Sequence, residues 1–120
     1  MHAAADWAAY VAGYHDANPG ITEDVLADAR DNRARTPYDW LVEAVPAGAA
    51  TVVDLACGPG DLCRELTRSG LTPIGADLSF GMLANARTAA PLIHTDALRL
   101  PFPEAALDGA TCGFALRNFV

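Results

Sequence analysis

Two glycines and three acidic residues stand where bare backbone and carboxylates could hold a polar small molecule. Gly58 and Gly60 fall in Cys57-Gly58-Pro59-Gly60, directly after the apolar run Thr51-Val52-Val53-Asp54-Leu55. A missing side chain lets a ligand approach the backbone, and the free N–H groups of a following helix favour an anionic group. Asp77 lies roughly 20 residues past Asp54, the separation at which nucleoside-binding folds place a carboxylate that accepts ribose hydroxyl protons. Asp96 followed by Ala97 sets a side-chain acceptor beside a backbone N–H, a pairing suited to the exocyclic amine and ring nitrogen of adenine. Together these positions offer partners for the successive parts of an adenosine ligand. Each has a plainer account on its own. The glycines can simply make a tight turn, Asp54 can be a polar strand terminus, Asp61 and Asp77 can cap helices, and Asp96 can be a loop carboxylate. Order and spacing carry the ligand reading. A nicotinamide-binding domain shows a third glycine where Cys63 stands, so that alternative is disfavoured but stays open.

These residues must be positioned by alternating elements. Thr51–Leu55 is a short β-branched run bounded by turn residues, the pattern of a buried parallel strand. Asp61 is placed to cap a helix carrying Leu62, Cys63 and Leu66, closed by Ser69-Gly70. Thr72-Pro73-Ile74-Gly75-Ala76 predicts a second strand ending at Asp77, and Ser79 caps a helix with Met82, Leu83 and Ala86. Pro91–His94 predicts a third strand, and Gly109 through Phe114 a fourth. Strands alternating with helices make βαβ units and a parallel sheet, with ligands at the carboxyl ends of the strands.

The first 46 residues read as helical. Trp7, Tyr10, Val11 and Tyr14 share one face of a helix over residues 3–14. Thr22 predicts a helix through Val25, Leu26 and Ala29. Thr36-Pro37-Tyr38-Asp39 opens a further helix carrying Trp40, Leu41, Ala44 and Val45.

Composition narrows the class. The chain has 120 residues, among them 25 alanines, eight arginines and no lysine, against 15 acidic residues, for a net charge of −7. Such an excess of negative charge disfavours binding to a phosphate backbone. High apolar content excludes a disordered chain, and no apolar run reaches the ~18 residues of a membrane span. Three cysteines without repeated spacing fit reduced thiols in a cytoplasmic protein, and the scattered histidines with no C-x-x-C pair predict no metal site.

Val52-Val53-Asp54-Leu55-Ala56-Cys57-Gly58-Pro59-Gly60 resembles the first motif of class I S-adenosylmethionine (SAM)-dependent methyltransferases. Ile74 through Leu83 resembles their acidic-loop motif, and Asp96 through Pro103 their adenine-side segment. Phe114-Ala115-Leu116-Arg117-Asn118 is similar to the segment after the fourth strand in the ubiquinone/menaquinone C-methyltransferase-like branch. The resemblance covers residues ~50–118 in four ordered motifs. It implies a Rossmann-like parallel α/β sheet with flanking helices, about four strands in the order 3-2-1-4. That core would occupy residues 49–120, preceded by an N-terminal helical segment, 1–48, on the lid and acceptor side.

The resemblance also implies roles. Asp54, with Ala56, Gly58 and Gly60, would shape the loop and hold the methionine amino group; Ala56 replaces a glycine common in the family, a change expected to be tolerated. Asp77 would bind the ribose hydroxyls, with Leu78 and Met82 packed around ribose and adenine. Asp96 and Ala97 would take the adenine, and Phe114 would lie along the methionine portion. Tyr14 could close over the site or be a core aromatic. His15 could be an acceptor-side base or a solvent-exposed helix-end residue, and Arg117 and Asn118 could touch the acceptor. The implied activity is transfer of the SAM methyl group to a small-molecule acceptor by in-line displacement; the alternative is a non-catalytic SAM-binding fragment or interaction module. Because the family's sheet typically has seven strands, the sequence is expected to be truncated after the fourth. The exposed fourth-strand edge would then be covered by a homo-oligomeric partner or by the missing C-terminal segment.

Overall fold

Val52 and Val53 place β-branched side chains on both faces of β1 (Thr51–Leu55), and both are buried. That two-sided burial makes β1 the central strand. It pairs in parallel with β2 (Thr72–Asp77), Val53 opposite Ile74, and on its other side with β4 (Gly109–Cys112), Val53 opposite Ala110. β3 (Leu92–His94) adds in parallel to the outer edge of β2, so the order is β3-β2-β1-β4, as the resemblance implies. The computed structural model describes residues 4–19 and 28–113. The helix expected from Thr22, and Phe114, Arg117 and Asn118, lie outside the described residues.

Among the described residues four helices flank this sheet: α1 (Ala4–Ala17), α2 (Pro37–Glu43), α3 (Asp61–Arg68) and α4 (Phe80–Ala84). α2 starts as its sequence requires. Thr36 Oγ1 accepts the Asp39 N–H, Asp39 Oδ2 accepts the Thr36 N–H at 2.8 Å, and Pro37 enters where no backbone donor is needed. α3 departs from expectation. Its N-cap is Gly60, with no side-chain cap, and Asp61 instead forms an ion pair with Arg64 at 2.7 Å.

One face of the sheet is closed by α3 and α2. Val52, Leu62 and Leu66 form the buried centre, with Tyr38, Leu41, Val42, Val45, Ala49 and Leu71 packed around it. Burying Leu66 alone is worth about 1.5–3 kcal/mol. Trp40, on α2, is exposed. Its indole N–H donates to Asp31 Oδ2 at 3.1 Å and the Arg35 guanidinium lies 4.6 Å from its ring. Arg35 also pairs with Asp31 and Glu43, so a charged clamp rather than the core fixes the approach to α2. Along α1, Trp7 stacks on Tyr10 at 5.5 Å, while Tyr10 and Tyr14 are exposed. Among the described residues no helix is long and apolar enough to cross a membrane.

At the amino end of the sheet, Asp108 accepts the N–H groups of Ala50 and Thr51 at 2.9 and 3.0 Å, stapling β4 to β1. Deeper in, Asp54 is buried on the face covered by α3, where Thr111 Oγ1 donates to its Oδ1 at 2.9 Å. A buried carboxylate that loses a donor keeps its desolvation cost. Thr111→Val therefore should lower the unfolding free energy by about 1–3 kcal/mol in urea titrations, while Thr111→Ser stays close to the parent.

Candidate functional site

Parallel strands all end on one side of the sheet, so residues 56–60, 78–79 and 95–97 gather at one rim. Asp77, the last residue of β2, organises that rim. Its Oδ2 accepts the Gly58 N–H at 2.7 Å and its Oδ1 the Ser79 N–H at 2.8 Å, which joins the loop after β1 to the loop after β2. A carboxylate offers about four acceptor sites, so capacity remains for a pair of vicinal hydroxyls. Burial pushes the Asp77 carboxyl above the ordinary carboxylate range, against the pull of the Ser79 and Gly58 N–H groups.

The loop after β1 has an unusual backbone. Ala56 and Gly58 both adopt left-handed conformations, with φ of +54° and +57°. Glycine does this freely, whereas alanine brings its Cβ toward a carbonyl oxygen. Gly60 is also left-handed, and packing requires it to be bare. A Cβ there would sit 2.7 Å from the Thr88 methyl, and Arg87 N–H donates to Pro59 O beside it at 2.9 Å. Nothing in the local sequence marks Thr88, because the contact joins residues 28 positions apart.

Of the other expected site residues, Asp54 lies beneath the loop, accepting from Thr111 Oγ1 and from the Cys63 thiol at 3.6 Å. Leu78 is half-buried, and its carbonyl meets His94 Nε2 at 2.8 Å. Met82 is buried, its backbone N–H donating to the Ser79 hydroxyl that caps α4. Asp96 and Ala97 follow β3 at the same rim, where Thr95 N–H reaches Asp77 O at 2.9 Å. Asp96 Oδ1 accepts the Leu98 N–H. Tyr14 is 44% exposed, which is not a core position. Phe114 lies outside the described residues.

Sequence reasoning missed how α1 reaches this rim. Asp16 Oδ1 accepts the Ser79 hydroxyl at 2.6 Å and the Gly81 N–H at 2.7 Å, and these donors, the hydroxyl first, hold its carboxyl below the ordinary range. Gly81 must be bare, since a Cβ would lie 2.6 Å from Asp16 Cα. His15, expected as either a base or a solvent-exposed residue, is half-buried. Its Nδ1 is enclosed and has no hydrogen-bond partner among the described residues. Among those residues no group of acidic, histidine or cysteine side chains is arranged to hold a metal ion.

A parallel sheet carrying a glycine loop and a strand-end carboxylate defines an α/β domain of the nucleoside-cofactor-binding class. The chain belongs to the methyltransferase-domain family, whose model matches residues 52–120. It is 45% identical over 100 residues to the demethylmenaquinone methyltransferase of Corynebacterium kroppenstedtii, covering 82% of this chain and 43% of that protein. The Mycobacterium tuberculosis H37Rv enzyme of the same name is 46% identical over 99 residues, covering 82% and 42%. The chain thus spans under half the length of these curated relatives. Among solved structures, a SAM-bound amino pentose methyltransferase from Micromonospora echinaspora superposes with a TM-score of 0.58 at 26% identity, covering 73% of this chain and 41% of that one.

Two outcomes test this geometry. Ala56→Gly should stabilise the chain by about 0.5–1 kcal/mol, read from urea midpoints, because it removes the left-handed alanine. In carboxyl-carbon NMR titrations, Asp77 should titrate above the ordinary carboxylate range and Asp16 below it. The signs have opposite consequences. The raised Asp77 weakens the ligand-free fold at neutral pH, and that loss is recovered as pH falls from its folded to its unfolded pKa. The stabilisation from Asp16 is present above its unfolded pKa and is lost as pH falls through its lowered folded value.

Proposed function

We propose that this chain binds S-adenosylmethionine and takes part in moving its methyl group to a small-molecule acceptor in the cytoplasm. The carrying observation is the Asp77 carboxylate, fixed between the Gly58 and Ser79 N–H groups at the carboxyl end of β2 with acceptor capacity left over. That arrangement fits a ribose diol, and the site's residues fit the cofactor. Asp77 would hold the ribose, Leu78 and Met82 would pack around ribose and adenine, and Asp96 with Ala97 would receive the adenine edge. Ala56, Gly58 and Gly60 shape the loop, with Asp54 beneath them, and Phe114 would line the methionine end. Bound SAM supplies a methyl group already activated on a sulfonium. The chain's own task is alignment of the acceptor and exclusion of water, which needs little acid–base machinery.

In this reading residues 49–120 are the cofactor half and residues 1–48 the lid and acceptor side, with Tyr14 closing over the site. The Asp16 contacts to Ser79 and Gly81 support that division, because they dock α1 beside the rim. A demethylmenaquinone-type quinone heads the acceptor candidates, on the strength of the relatives' names. The three cysteines, none of them in a disulfide, agree with a reducing compartment. The outer edge of β4 has no neighbouring strand among the described residues. A further strand there, from the same polypeptide or a second copy, belongs to the proposal. A second reading is a SAM-binding unit that is not itself catalytic.

Calorimetry tests the shared part. The chain should bind SAM, and Asp77→Ala should weaken binding by about 100-fold, the loss of two charge-assisted hydrogen bonds. Unchanged affinity in the variant refutes the assignment. Methyl transfer from labelled SAM to a panel that includes a demethylated quinone separates the two readings, since only the enzyme gives labelled product.

A further inference from the structure

α4 is five residues long, too short to hold its own shape, and its first turn is fixed from outside. The hydroxyl of its N-cap, the buried Ser79, accepts the Met82 N–H at 3.2 Å. A second donor of that turn, the Gly81 N–H, is taken by a carboxylate 65 positions away in the chain. Asp16, in the last turn of α1, accepts it at 2.7 Å and accepts the Ser79 hydroxyl at 2.6 Å, both on Oδ1. Gly81 lets α1 come this close, since a Cβ there would lie 2.6 Å from Asp16 Cα and 2.9 Å from its carbonyl oxygen. Asp16 is thus a second cap for α4, supplied by α1. The same serine carries the contacts inward, because its N–H donates to Asp77 Oδ1 at 2.8 Å. One run of hydrogen bonds leads from α1 to the strand-end carboxylate, Asp16 to Ser79 to Asp77, with Met82 branching from its middle.

We propose that Asp16 is a positioning residue: acting through Ser79, it holds residues 77–82 in the shape that receives a ribose, so that seating of α1 and binding of the sugar reinforce each other. The inference rests on the SAM reading above and deepens it by naming the residue through which α1 takes part. Asp16 itself does not touch the cofactor. Its removal leaves the Gly81 N–H and the Ser79 hydroxyl without their acceptor, and so loosens the backbone donor that presets Asp77 Oδ1. Coupling of this kind is reciprocal. Whatever factor the docked α1 adds to affinity, the bound sugar returns to the docking of α1. The Asp16 side chain is exposed, so solvent screens its charge, and a neutral acceptor in the same place serves nearly as well.

The test uses S-adenosylhomocysteine and its 2′,3′-dideoxy analogue as calorimetric ligands, with urea midpoints for every variant. Asp16→Ala should weaken S-adenosylhomocysteine binding by about tenfold, within the usual span of coupling between two sites. Against the dideoxy analogue, which offers Asp77 no hydroxyl, the same substitution should cost less than about twofold. Asp16→Asn keeps an acceptor at the Oδ1 position and should bind S-adenosylhomocysteine within about threefold of the parent. Gly81→Ala attacks the same contact from the other side. Alanine suits a helix better than glycine, so α4 itself is not weakened, yet the new Cβ pushes Asp16 away. Its loss of affinity should match that of Asp16→Ala, and it decides the matter should Asp16→Ala fail to fold. In the parent, hydrogen exchange of the α1 backbone amides should slow when S-adenosylhomocysteine is added, and in Asp16→Ala it should barely change. A merely structural role lowers the urea midpoint and costs both ligands alike. Equal losses against the two ligands, parent-like affinity of Asp16→Ala or Gly81→Ala, or α1 exchange in the parent that ignores the ligand overturns the role of Asp16 while leaving the SAM reading intact. Failure of the parent chain to bind S-adenosylhomocysteine or SAM removes both.

Discussion

The rim of this domain depends on one carboxylate with two backbone donors. Asp77 cannot rotate away from its loops, because Gly58 and Ser79 hold its two oxygens separately. The loop after β1 and the loop after β2 are therefore spaced by a side chain rather than by their own stiffness. Ser79 extends the linkage, since its hydroxyl both caps α4 and donates to Asp16. Through that hydroxyl α1 is tied to the same anchor. A single acidic residue thus sets the glycine loop, the start of α4 and the docking of the N-terminal helix.

Burial gives this anchor its character. Desolvation disfavours the charged form of Asp77, and the surrounding N–H groups offset that only in part. A site held in such tension is pre-arranged for polar hydrogens, because each added donor relieves a cost already present in the ligand-free chain. Asp54 plays a different part. Thr111 donates to its Oδ1 and the Cys63 thiol to its Oδ2, and its place beneath the loop makes it a brace between β1, β4 and α3.

The layout of the sheet was legible because its cause is local. Val52 and Val53 mark a strand buried on both faces, Thr36-Pro37 and Ser79 mark helix starts, and Asp77 stands where a strand must end. What escaped were contacts between distant residues. Thr88 filling the space above Gly60, Asp16 reaching Gly81, and Trp40 turning to Arg35 and Asp31 each join segments whose proximity only the folded chain decides. His15 escaped for the same reason: a helix-end histidine carries no local signal that its Nδ1 will be enclosed. Asp61 misled differently, since an acidic residue in a first turn looks the same whether it caps the helix or pairs with Arg64.

The staple between Asp108 and the first residues of β1 has a consequence for how the chain is made. β1 is finished early, yet the strand for its second edge arrives more than fifty residues later, at Gly109–Cys112. On a ribosome adding about 5–20 residues per second, that edge waits on the order of several seconds for its partner. A nascent chain in that interval exposes an unpaired apolar strand at its centre. Asp108, arriving one residue ahead of β4, is placed to catch the waiting edge first and to set the register in which the sheet closes.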